Sequence, residues 1–145
     1  MNKVSNLAPD KALAALIDGE ITVELSATDS RTVPIYRQGS RPSVDAPEEF
    51  IEVLHNGIIR AMTHPLGVFR GNLAVVVYCK AFANGTAKFD RIESIMGQLE
   101  GLVDGKESGK VYFEVDSDNL ITPVTYDAES GYSIVILNIE WHTTE

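Results

Sequence analysis

Within residues 87–103 (AKFDRIESIMGQLEGLV), Phe89, Ile92, Ile95, Met96, Leu99, Leu102 and Val103 recur at the i, i+3, i+4, i+7 spacing of one helical stripe. Lys88, Arg91, Glu93, Gln98 and Glu100 fill the other sides, so the pattern predicts a surface helix with a single buried face. Residues 73–81 before it and 111–115 and 132–141 after it are rich in β-branched and aromatic side chains, which fit a pleated, half-buried surface. A helix laid across a sheet follows. In 73–81 both parities are apolar, with Leu73, Val75, Val77 and Cys79 on one side and Ala74, Val76 and Tyr78 on the other. Such a strand is expected at the centre of a sheet, covered on both faces. The helix supplies one cover, and a neighbouring subunit is a candidate for the other.

The remaining pattern is shorter in period. Residues 8–17 predict a short helix: Pro9 and Asp10 suit its first turn, Leu13, Leu16 and Ile17 form a stripe, and Gly19 offers a stop. Residues 21–25 (ITVEL) alternate as a half-buried strand, 26–31 turn, and 32–36 can extend, with Pro34 restricting them to an edge or a strand end. Residues 37–47 (RQGSRPSVDAP) read as an exposed loop. Residues 50–54 form a strand, 55–57 (HNG) signal a turn, and 58–62 are then the returning arm of a hairpin. Residues 63–71 are irregular, and Thr86 is expected to cap the long helix. Gly97 and Gly101 inside that helix cost roughly 1 kcal/mol each against alanine, which suggests a close approach of the helix backbone to the sheet or to a partner. Residues 104–105 end the helix and 106–110 turn. After the 111–115 strand, 116–119 (DSDN) turn again, 120–126 extend, and 131–142 form a long final strand.

The 145 residues are expected to make one domain, long enough to bury a core without disulfide or metal. The single cysteine, Cys79, lies in an apolar run and reads as a core residue in a reducing compartment. No uninterrupted apolar leader or span stands out, which predicts a soluble protein kept in a cytoplasm. Twelve basic against 21 acidic residues give a net charge of −9, which argues against holding nucleic acid by phosphate neutralisation.

The sequence offers no catalytic constellation. His55, His64 and His142 show no metal-ligand spacing, and no phosphate-cradling loop or nucleophile-elbow motif occurs. Asp116 and Asp118 resemble a calcium loop only in part: Ile121 and Asp127 stand where an EF-hand needs glycine and glutamate, so a plain turn is the better reading. No cofactor and no metal are expected. Arg37 and Arg41 stand out in an acidic chain and suit either salt bridges to another chain or a solvated loop.

Taken together, the glycine-ended first helix, the segment VPIYRQGSRPSVDAPEEFIEV, the strand NLAVVVYCKA, the amphipathic helix and the closing GYSIVILNIEW make a whole-chain pattern. It resembles the tail terminator, or tail completion, proteins of long-tailed bacteriophages and prophages. The resemblance implies an α+β subunit with a mixed or antiparallel sheet and one long and one short helix packed on one face. It further implies a homo-oligomer, typically a hexameric ring, seated on the head-proximal end of the virion tail after assembly in the host cytoplasm. There it would bind the tail tube protein, end tube polymerisation and offer a surface to the head connector, with DNA passing through the lumen without specific binding. Under this reading the interface residues are Tyr36, Arg37, Gln38 and Arg41 in the loop, then Asp104 and Lys106, and Asp116 and Asp118. Two other readings compete: a dimeric, non-catalytic ligand-binding or regulatory module, and a small enzyme, which would need a polar cluster inside a pocket.

Overall fold

A computed structural model describes residues 9–37, 47–55, 60–61, 69–115 and 124–143. Among these residues two helices, α1 (Pro9–Ile17) and α2 (Phe89–Val103), accompany ten strands: β1 (Thr22–Glu24), β2 (Ser30–Thr32), β3 (Ile35–Arg37), β4 (Glu49–His55), β5 (Arg60–Ala61), β6 (Phe69–Lys80), β7 (Lys106–Ser108), β8 (Val111–Val115), β9 (Thr125–Asp127) and β10 (Tyr132–Thr143). β1 and β2 form a separate two-stranded ribbon. The main sheet runs β3-β4-β6-β10-β8-β7, with β5 on β6 and β9 on β10. Among the described residues only β3 joins its neighbour in parallel and the other pairings are antiparallel, so the fold is α+β with a curled mixed sheet.

The strand with two apolar parities is central, as its composition predicts: β6 pairs with β4 on one side and β10 on the other. Its odd positions face the helices. Leu73, Val75 and Val77 join Ile51, Val53, Leu137, Ile139 and Trp141, and α2 lays Ile92, Ile95, Met96, Leu99 and Val103 over them. α1 adds Leu13 and Ile17 to the same layer, and Gly19 ends it in the left-handed region at φ 77°. Trp141 fits because its register partner on β6 is Gly71: a Cβ there would come within 2.9 Å of the indole ring.

The second cover of β6 is a different matter. Ala74 and Val76 are buried within one chain, so their burial does not call for a neighbouring subunit. Among the described residues no helix lies on this face. Aromatic rings of adjacent strands cover one another instead: Phe50 stacks on Tyr78 at 4.4 Å, and Tyr36 and Tyr132 meet Phe50 edge-on at 5.8 and 5.4 Å.

Several local expectations change. α2 begins at Phe89 with Lys88 at the N-cap position, because the main chain of Thr86 is engaged in the preceding turn, receiving the Phe82 N–H and donating to Asn84 Oδ1. Phe89, the first residue of the predicted stripe, is 53% exposed. Gly97 and Gly101 make no close approach to the sheet: a Cβ on either would meet nothing of this chain within 4 Å, and both lie on the outer side of the helix. Residues 106–108 form a strand, since Gly109 at φ 63° makes a tight hairpin to β8. Residues 69–71 belong to β6, and the returning arm, β5, pairs with β6 rather than β4, whose other edge is taken by β3. Pro34 does sit beside an edge strand, and its carbonyl accepts the Ile51 N–H at 3.0 Å.

Candidate functional site

Along α2, Arg91, Ser94 and Gln98 follow one another at i, i+3 and i+7, so the helix presents a polar stripe beside its buried one. That stripe faces β1 across a cleft of about 930 Å³, which Phe82 and Phe89 also line. The cleft exists because the β1–β2 ribbon is held to the helix at two points and nowhere paired to the main sheet.

The first point is a buried carboxylate. Glu49 shares a face with Ile51 and Val53, and its side chain is only 2% exposed. Arg31 shares a face with Val23, which is buried, so it too turns inward. Its Nε and Nη2 donate to the two carboxylate oxygens of Glu49 at 2.8 Å each, and Arg91 Nη1 adds a bond of 2.9 Å from the helix. One acid thus fixes ribbon, sheet and helix, with the fork geometry that makes arginine suited to bidentate pairing. The same charge reaches Cys79, its register partner on β6: burial chiefly, then Glu49, pushes the thiol up from 9.0 to about 11. A thiol held protonated in this way is a poor nucleophile.

The second point is Gln98. Its Oε1 accepts the Thr22 N–H at 3.0 Å and its Nε2 donates to the Thr22 carbonyl at 2.9 Å. Both contacts fall on the outer edge of β1. The amide side chain therefore does for Thr22 what the peptide group of a third strand would do.

At the mouth, Lys88 Nζ lies 5.4 Å from the centre of the Phe82 ring and 3.9 Å from Glu48. Leu25, Phe82, Phe89 and Tyr126 are the large apolar side chains that stand exposed among the described residues, at 42 to 55%. Phe82 and Phe89 line the cleft, and the Tyr126 ring lies beside Gly85 in the turn between the two phenylalanines.

The residues singled out from sequence do not gather here. Tyr36 packs on Phe50, on the helix-free face. Arg37, one position on, points the other way, and its Nε donates to Asp10 Oδ2 at 2.9 Å, joining α1 to β3. Asp104 Oδ1 accepts the Val115 N–H at 3.0 Å, and Lys106 is exposed on β7, at the opposite edge of the main sheet from β3. Gln38, Arg41, Asp116 and Asp118 lie outside the described residues, as does His64. Among the described residues no three histidine, cysteine, aspartate or glutamate side chains come together as a metal site would require, and no helix is long and apolar enough to cross a membrane. The cleft had a faint sequence signature: the strict alternation of 21–25 and the polar positions 91, 94 and 98 beside an apolar stripe.

No family model matches this chain, and no curated protein matches it. One solved structure is similar over 97% of this chain and 94% of its own, with a TM-score of 0.59 at 14% sequence identity. At that identity the likeness concerns the fold alone.

Proposed function

We propose that this chain is a structural assembly subunit of the tail terminator type: a protein whose copies join into a ring that caps a phage tail tube, stops its growth and presents a surface to the head connector. The observation that carries the reading is that Phe82 and Phe89, both more than half exposed, line one cleft, with the exposed Tyr126 ring beside the turn between them. Exposed apolar groups concentrated in one place mark an interaction surface. The sequence resemblance gives that surface its context, and the acid excess suits a ring whose lumen must let DNA slide through. Arg37, Asp104 and Lys106 remain candidate contacts at the sheet edges. Arg37, although bound to Asp10, keeps a side chain 48% exposed.

Light scattering coupled to size exclusion, followed by negative-stain imaging, tests the reading. A particle of about six copies with a central hole is expected. A cleft of about 930 Å³ between helix and ribbon also suits the dimeric ligand-binding module. A compact two-fold particle without a hole would favour that reading and overturn the ring.

A further inference from the structure

Strand β1 has one edge to spare. In the ribbon, the Val33 N–H donates to Ile21 O and the Leu25 N–H to Asp29 O, both at 2.8 Å, which makes 21–33 and 25–29 hydrogen-bonded pairs. By antiparallel alternation Val23 pairs with Arg31 in the same way, while the main-chain groups of Thr22 and Glu24 point away from β2. Those of Thr22 are taken by Gln98. The N–H and C=O of Glu24, one repeat along, face the same cleft and have no partner among the described residues. The edge is thus started by a side-chain amide at Thr22 and left open at Glu24, in a cleft lined also by Phe82 and Phe89.

We infer that the cleft accepts an extended segment of a neighbouring copy of this chain, added to the ribbon as a third strand through Glu24 with its apolar side chains on Phe82 and Phe89. This rests on the ring reading above and names where the copies join. The recognition chemistry is that of strand addition, in which main-chain bonds give affinity and flanking pockets choose the side chains. A second copy fits by charge. In a chain of net −9, like copies repel least where local charges cancel, and in the lining of this cleft Lys88 and Arg91 stand against Glu24 and Asp90. A strand edge of one copy entering a cleft of the next is also a heterologous contact, the kind that closes into rings.

Glu24→Pro removes the outward N–H without touching a bond inside the ribbon, a position where strands tolerate proline. Sedimentation velocity of the wild-type protein and of E24P, each with a thermal melt, is the experiment, joined by amide exchange on the wild-type oligomer. The expected result is that E24P melts within a few degrees of wild type yet shifts to monomer. In the wild-type oligomer the Glu24 amide should exchange about tenfold or more slowly than in dilute monomer. An oligomer that survives E24P, or a Glu24 amide that exchanges equally fast in both states, overturns this inference and leaves the ring reading standing. A wild-type protein that stays monomeric at every concentration overturns both. Should E24P fail to fold, the wild-type exchange measurement decides alone.

Discussion

The two faces of β6 are built from the same kinds of residue and buried by different means. On the helix side Leu73, Val75 and Val77 are fully enclosed under α2, whose Ile95 and Leu99 are equally inaccessible. On the other side Ala74 and Val76 are 6 and 4% exposed, Tyr78, Ile134 and Ile136 are half-buried, and the cover is a set of rings lying on one another. Apolar residues at both parities therefore report a central strand, and do not by themselves report a subunit contact. The large side chains that face solvent stand elsewhere: Phe82 before α2 and Phe89 at its start, Leu25 just after β1, and Tyr126 on β9.

The sharpest break between the faces concerns cavities. Leu137→Ala, on the enclosed side, is expected to cost about 3 to 4 kcal/mol in urea unfolding, and Ile134→Ala, half-buried on the other, about 1 to 2. Equal losses would mean that the ring-covered face is packed as firmly as the helix-covered one. Next in size, Glu49→Gln leaves Arg31 and Arg91 facing a neutral amide and should cost about 2 to 3 kcal/mol. That is below the figure for a wholly buried pair, because both guanidinium groups are partly in water. Its cleft should also loosen, seen as faster exchange of the Thr22 amide, whereas substituting Glu52 on the other face should leave that amide unchanged.

Alkaline titration samples both faces at once. Burial raises Cys79 from 9.0 to about 11 on the helix side, and burial followed by Glu48 and Glu49 raises Tyr132 from 10.0 on the other. Both groups ionise first in the unfolded chain. The stability they confer is present below pH 9 and falls as pH climbs through the folded values, by about 2 kcal/mol or less for the thiol. Cys79→Ala should flatten the decline between pH 9 and 11, and Tyr132→Phe should flatten it only above pH 10, in melts at stepped pH. The smallest effect is on the outer side of α2: Gly97→Ala should stabilise the isolated chain by about 0.5 to 1 kcal/mol, since the new methyl meets nothing within 4 Å.

The helix-facing core was legible because two periods agree there: a 3.6-residue stripe in 92–103 and an alternation in 73–79 that must meet it. Element order along the chain, the stop at Gly19 and the edge position beside Pro34 followed from local chemistry. What escaped depends on contacts distant in sequence. Phe89 reads as core by spacing, but the helix starts there, and its first residue overhangs the sheet. Arg37 reads as a solvent or partner contact, but Asp10, 27 positions earlier, is folded against it. Glu49 alternates with Ile51 and Val53, which places an acid on an apolar face; only the two arginines, 18 residues before and 42 after, explain how it stays there. The cleft is the sum of such contacts, so its residues were visible singly and its existence was not.

Native mass spectrometry of the purified protein across a range of concentrations tests the central claim most directly. A closed assembly of about six copies that gives way to monomer on dilution is expected. A chain that remains a lone monomer throughout, with its exposed phenylalanines left in water, would contradict it.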